Sequence, residues 1–400
     1  MKRALLILLA SMMLLSCAAC GTVDTPETTL APETTEAPET TAAPETTLAP
    51  ETTAEPETTA APETTAAPET EAETEPAAPL YNANVVLSEE MQKKMSKYLP
   101  TKWPAVINQI MDNITDDFMF VVQTDTHYSV AKDDAKVGYN IAALSHYLPL
   151  SCFLQLGDYI KGYYSGEAGK AENTPELTMQ SLKELTRRYL TDLNTKALIT
   201  YGNHDANQLW CKYYGTADQQ LTGADLYENV TSKMVEHNGE DMVTNGESNY
   251  YYVDFPYDGV RIIMLNTLDG NYENTFDDIQ YISDEQFQWF KDVALDTDNT
   301  VIIGAHVPLV ENFPDCSGNI PSVSDKIRAA VNEFVENGGV FVAYLYGHTH
   351  KQSDMLDEYG NLHISFTTGQ HNAEVVMIDF EDRHITTVGL GSPVAREFDY

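Results

Sequence analysis

Short, unbroken apolar runs recur along the chain from residue 118 onward, each followed closely by polar side chains. Residues 118–122, 152–156, 197–201, 301–304 and 341–345 do not alternate, the pattern of strands covered on both faces. Segments with helical spacing separate them at 137–147, 175–193 and 324–336, which predicts parallel strands with helices packed outside. The pattern changes in the middle. Residues 250–255 and 260–265 flank a Pro-Tyr-Asp-Gly turn and predict an antiparallel hairpin. Ser283 predicts the cap of a helix whose apolar stripe is Phe287, Phe290 and Val293. Helix starts are expected at Ser88 and over 104–114, and short strands over 363–390. Residues 206–249 show no clean period and are expected to form an irregular insertion near the cleft. The whole predicts an α/β domain with two layers of mixed sheet between helices.

The first 79 residues read differently. Lys2 and Arg3 precede an apolar stretch over 4–15, too short to span a bilayer comfortably, so residues 1–20 are expected to be an export signal. Small residues lead into Cys17 and Cys20, which resembles a bacterial lipoprotein processing site. Cys20, behind Ala18-Ala19, is the expected lipidated residue, with Cys17 and an ordinary cleaved signal as alternatives. Residues 21–79 repeat Ala-Pro-Glu-Thr-Thr with proline on a six-residue beat from Pro26 to Pro68. Such a segment buries too little apolar surface to offset its ordering entropy, so a disordered linker is expected. In polyproline II geometry its upper reach is about 170 Å. Residues 80–400 are left as one folded domain, expected to be lifted on a tether at the outer face of the cytoplasmic membrane or the cell surface.

Charge narrows the partners. The chain carries −38, of which −12 falls on residues 1–79 and −26 on the rest. A domain this acidic lacks the basic footprint of a nucleic-acid binder, so none is expected. Membrane attachment is expected through the lipid anchor alone. Of the five cysteines only Cys152, Cys211 and Cys316 lie in residues 80–400, and none of these is spaced as a CxxC pair, which argues against a zinc ribbon or a disulfide framework.

Five polar motifs sit at or near the ends of apolar runs: Asp125-Thr126-His127, Gly157-Asp158, Gly202-Asn203-His204-Asp205, His306, and Gly347-His348-Thr349-His350. A lone Asp-x-His caps turns as readily as it binds metal, and a lone Gly-Asp satisfies loop amides. The ordered set is far more specific, because ligands gather beyond the carboxyl ends of strands in open α/β sheets. Imidazole and carboxylate donors without thiolate favour manganese, iron, zinc or nickel. Other histidines, His146, His237, His363, His371 and His384, match no motif.

These motifs, over about 225 residues from Asp125 to His350, resemble the calcineurin-like metallophosphoesterase superfamily. The resemblance implies a four-layer α/β/β/α sandwich of two mixed sheets with two divalent metal ions between the sheet ends. It implies Asp125, His127 and His350 at one metal, Asn203, His306 and His348 at the other, and Asp158 bridging both. His204 would act beside the metals, oriented by Asp205, both being catalytic rather than ligating. The implied reaction is hydrolysis of a small phosphate mono- or diester by a hydroxide shared between the ions. Purple acid phosphatases place tyrosine where this chain has Lys161, with Tyr159 two positions earlier, so a tyrosinate-bound ferric ion is not expected. The alternative from another class is an inactive stalked module that holds phosphorylated ligands through its metals.

Overall fold

A computed structural model describes residues 109–110, 112–114, 117–130, 141–142, 144–146, 148–162, 175–208, 211, 220–270, 280–310, 319–369, 372–390 and 395–400. The export signal, Cys20, the repeat and the expected helix start at Ser88 lie outside these residues.

Two mixed sheets form the centre. The first has six strands: β1 Phe118–Gln123, β2 Cys152–Leu156, β3 Lys196–Thr200, β11 Glu374–Asp379, β12 His384–Gly389 and β13 Ala395–Asp399. Their order is β13-β12-β11-β1-β2-β3, with β1, β2 and β3 parallel and β11 antiparallel to β1. The second sheet holds β4 Met242–Thr244, β5 Tyr251–Phe255, β6 Val260–Met264, β7 Thr300–Gly304, β8 Phe341–Tyr346, β9 Ser353–Leu356 and β10 Leu362–Ser365. Its order is β4-β5-β6-β7-β8-β10-β9, and β6, β7, β8 and β10 run parallel.

The unbroken apolar runs are explained by burial on both faces. Every residue of β1, β2, β6 and β8 is buried. One core lies between the sheets, where the Phe118 ring meets Phe255 edge-on at 5.2 Å and the Tyr251 hydroxyl donates to the Ile199 carbonyl at 3.0 Å. On the outer side of the first sheet, α1 (Pro175–Asp192) buries Leu182, Leu185 and Tyr189, the Tyr189 ring 4.6 Å from Phe153 of β2. Outside the second sheet, α5 (Ile320–Glu336) lays Val323, Ile327, Val331 and Phe334 against Ile303 and Tyr344. Each such apolar side chain stabilises the fold by roughly 2 kcal/mol. The layers are therefore helix, sheet, sheet, helix, the predicted α/β/β/α sandwich.

Three expectations change. Residues 206–249 are not irregular throughout: 223–238 form one helical run, α2 Gly223–Leu226, a π turn Tyr227–Thr231, and α3 Ser232–Asn238. The π turn interrupts the 3.6-residue period, and this is why the pattern was not visible. The run is fastened to β3 and its end, the Tyr201 hydroxyl meeting Thr231 Oγ1 at 2.8 Å and Lys196 Nζ donating to the Asn238 carbonyl at 3.0 Å. In α4 (Asp284–Trp289), Ser283 does cap, its hydroxyl accepting from the Gln286 amide at 3.0 Å. A second π turn, Phe290–Ala294, then rotates the stripe, so Ala294 is buried while Val293 is 44% exposed. Finally, α5 begins four residues before the expected Ser324, with Pro321 in its first turn, where its missing N–H costs nothing.

Candidate metal centre

The loops after β1, β2, β3, β7 and β8 converge at one end of the two sheets, and backbone hydrogen bonds lash them together. The Asp125 amide donates to the Gly157 carbonyl at 3.0 Å, the His127 amide to Asp158 at 2.9 Å, and the Gly347 amide to His306 at 3.0 Å. Five residues here adopt left-handed backbone: Asp125 (φ 50°), His127 (48°), Asp158 (49°), His348 (65°) and His350 (57°). Among the described non-glycine residues only Asn207 and Arg383 join them. Such conformations cost about 1–2 kcal/mol each in an L residue. They persist where the surrounding structure over-determines them, and here they turn five donor side chains inward.

Two glycines make the close approach feasible. A Cβ on Gly202 would lie 2.2 Å from Asp158 Oδ1 and 2.7 Å from His306 Cδ2. One on Gly347 would lie 1.9 Å from Thr124 Oγ1.

The donors fall into two clusters. In the first, His127 Nε2 and His350 Nε2 are 3.2 Å apart, and Asp125 Oδ1 is 3.0 Å from His350 Nε2 and 4.0 Å from His127 Nε2. In the second, His306 Nε2 lies 3.3 Å from each of Asn203 Oδ1, Asp158 Oδ2 and His348 Nδ1. Two donors each about 2.1 Å from one ion stand roughly 3.0–3.4 Å apart, so most of these spacings match donors sharing a cation. Asp125 Oδ1 is also buried with no hydrogen bond directed at it, an orphan that a metal would satisfy. Ligand atoms of His127, Asp158 and His204 lie within 4.8 Å of one another, so the Asp158 carboxylate adjoins both clusters. The donor set fits two divalent ions.

Second contacts set the tautomers. His306 Nδ1 donates to the Leu156 carbonyl at 2.9 Å, which turns the lone pair of Nε2 to the cluster. The Gln280 amide lies 3.2 Å from His348 Nε2, and Nδ1 is the nitrogen presented. The Asp125 Oδ2 atom accepts from Thr124 Oγ1 at 2.7 Å and from the His348 amide at 2.9 Å. Neither Leu156, Gln280 nor Thr124 could be found from the motifs, since a backbone carbonyl or a lone amide carries no pattern.

Charge follows this geometry. Burial pushes the Asp158 carboxyl up, but His306 and His204 outweigh it and hold the group well below the usual carboxylate range. Burial likewise raises Asp125, and the adjoining His350 imidazole with the His306 charge reverses it to a net lowering. Burial depresses the His127 imidazole to about 4, against the opposing pull of Asp158, so the ring is neutral near pH 7, the form that ligates. Burial also lowers His306, yet the adjoining Asp158 carboxylate more than compensates and takes it to about 9.

His204 stands beside the clusters, Nε2 3.9 Å from Asp158 Oδ2 and its ring edge-on to His127 at 4.6 Å. Asp205 does not orient it. The Asp205 carboxylate accepts from the Gly202 amide at 2.8 Å and the Ile160 amide at 3.1 Å, and clasps the β3 loop to the β2 loop. His204 is held instead by the Lys161 carbonyl, which accepts from Nδ1 at 2.8 Å. Burial, reinforced by the Asp158 charge, pushes the Asp205 carboxyl well up. Tyr159 is fully buried in the hydrophobic core, its ring 6.4 Å from Tyr201.

Known proteins can now be set beside this geometry. No curated protein matches the chain. Solved structures that resemble it include a dimetal phosphatase from Danio rerio, at 15% identity over 71% of this chain and 99% of that one, TM-score 0.49. A 5'-nucleotidase from Candida albicans matches at 16% identity over 66% of this chain, TM-score 0.36, and the present chain spans 48% of its length. Phosphopantetheinyl hydrolase from Mycobacterium tuberculosis matches at 12% identity over 64% of this chain and 92% of that one, TM-score 0.31. The model of the calcineurin-like phosphoesterase family matches residues 118–352, more than half of the chain. That stretch contains all five motifs and both donor clusters, and the chain belongs to the calcineurin-like phosphoesterase family.

Proposed function

We propose that this protein is a metal-dependent hydrolase of small phosphate mono- or diesters. The observation that carries the reading is the set of donor spacings between 3.0 and 3.3 Å in two clusters joined at Asp158. Two bound dications supply Lewis acidity, lowering the pKa of water and neutralising charge on phosphoryl oxygens. The chain contributes placement: Asp125, His127 and His350 on one side, Asn203, His306 and His348 on the other, Asp158 between.

His204 supports turnover rather than storage. Its Nδ1–H is committed to the Lys161 carbonyl, so Nε2 faces the clusters. Protonated there, Nε2 donates to the departing ester oxygen, a contribution on the order of a hundredfold in rate. An ion-storage or scaffold site has no use for a ring held in that way. The acidic surface, −26 outside residues 1–79, repels polyanions and favours a small substrate captured at the cations.

The test is turnover. The purified full chain, loaded with manganese, is expected to release phenolate from an aryl phosphate monoester or diester and to stop with chelator. Failure on both substrates while two metals remain bound would move the reading to a stalked module that only holds phosphorylated ligands.

The proposal extends to location: export by residues 1–20, lipidation at Cys20 and presentation on the 21–79 repeat. Radiolabelled palmitate should enter the wild-type chain, and Cys20→Ala should lose both label and membrane association. Label persisting in that variant would point to Cys17, and no label in the wild-type chain would refute the anchor.

A further inference from the structure

Behind the loop that carries His348 and His350 lies a buried ion pair that the chemistry above does not use. Glu374 opens β11, paired in register with Val122 near the end of β1, and is 2% exposed. Its Oε2 accepts from Arg396 Nη2 at 2.7 Å, Arg396 Nε at 3.2 Å and Thr387 Oγ1 at 2.8 Å. An ion pair serving only to fasten β11 to β13 would end there.

Two arms run on from it. Glu374 Oε1 accepts from Gln352 Nε2 at 2.7 Å, and Gln352 is two residues past His350. Arg396 Nη1 reaches the Ser365 carbonyl at 3.3 Å, and the Ser365 hydroxyl donates to the Lys351 carbonyl at 2.8 Å. The same hydroxyl lies 2.9 Å from Thr349 Oγ1, between the two histidines. Thr367 Oγ1 adds a bond to the His350 carbonyl at 3.1 Å. This loop has two left-handed residues and a His350 side chain 47% exposed, so packing alone does little to hold it.

We propose that the Glu374–Arg396 pair is a positioning element for the first donor cluster, acting through Gln352 and Ser365 on the loop that presents His350. The inference rests on the reading of that cluster as a metal site. Ties behind a ligand, rather than contacts to the metal, typically set about tenfold or more in affinity. In the second cluster His306 is oriented through Leu156 instead and only His348 stands on this loop, so that cluster depends on the pair less.

The experiment titrates manganese into the full chain by calorimetry, with activity followed across metal concentration. Gln352→Ala is the principal variant, because it leaves Glu374, Arg396 and Thr387 bonded to one another. It is expected to weaken one of two binding events about tenfold and to shift the metal-activation curve to higher concentration with its plateau unchanged. Glu374→Gln should weaken the same event. The double variant should be no worse at that event than Glu374→Gln, since Gln352 acts through Glu374. Two wild-type binding events with both affinities unchanged in Gln352→Ala would overturn the positioning role alone. No binding by the wild type would overturn the metal reading, and this inference with it.

Discussion

In the first donor cluster His350 is 47% exposed and stands on strained loop backbone, whereas in the second His306 is wholly buried. The His306 ring is fixed from below by the last carbonyl of β2, a rigid strand in mid-sheet. His350 relies on the loop itself and on the contacts behind it. The difference teaches that a two-ion cradle can have a half built into the core and a half assembled at the rim. The core half gives a fixed reference for Asp158.

Asp158→Asn should break the comparison altogether, because it removes the one carboxylate common to both halves. Turnover is expected to fall more than about a hundredfold, beyond the usual effect of losing a contact behind a ligand, and bound metal should drop at both clusters. Elemental analysis beside the rate would check it, and full activity would refute the assignment of Asp158.

The next contrast separates the halves by stability. In metal-free protein His306→Ala strands the buried Asp158 charge and should cost about 3 kcal/mol in denaturant unfolding. His350→Ala, at a half-exposed contact, should cost under about 1 kcal/mol while still abolishing turnover. Equal losses in the two variants would erase the distinction between core and rim.

His204→Ala belongs to neither half. Metal content should stay at wild-type level while kcat falls on the order of a hundredfold. Loss of metal in that variant would make His204 a ligand.

The smallest effect is in pH. His306 is raised to about 9, so in metal-free protein its pairing with Asp158 contributes stability in full below the ordinary histidine pKa of 6.5, and the contribution disappears as pH rises through 9. A metal must displace that proton, so affinity at the second cluster should rise up to about tenfold per pH unit toward 9. Calorimetry in buffers of different ionisation enthalpy should find about one proton released from this cluster at pH 7. His127, near 4, should add none.

How much of this was legible varies with the kind of interaction. The strands at 118–122, 152–156, 301–304 and 341–345 were legible because burial on both faces leaves an unbroken apolar run. The helical run at 223–238 was not, since a π turn shifts its phase midway. Val293 was misassigned to the buried stripe for the same reason. In the centre, each donor could be named because metal chemistry restricts side-chain type. The partner that holds His204 could not, because Lys161 contributes a carbonyl every residue possesses. The resemblance implies Asp205 as that partner, yet its carboxylate satisfies two amides.

The chain by itself determined which residues can ligate, the strands that carry them and the acidity of the surface, since these depend on side-chain chemistry and local periodicity. Only the tertiary structure decided that β11 slots antiparallel beside β1 and that Asp158 adjoins both clusters. It also decided that Glu374 stands behind the His350 loop. Those outcomes follow from sheet order and from hydrogen bonds between residues far apart in sequence, whose partners are chosen by packing.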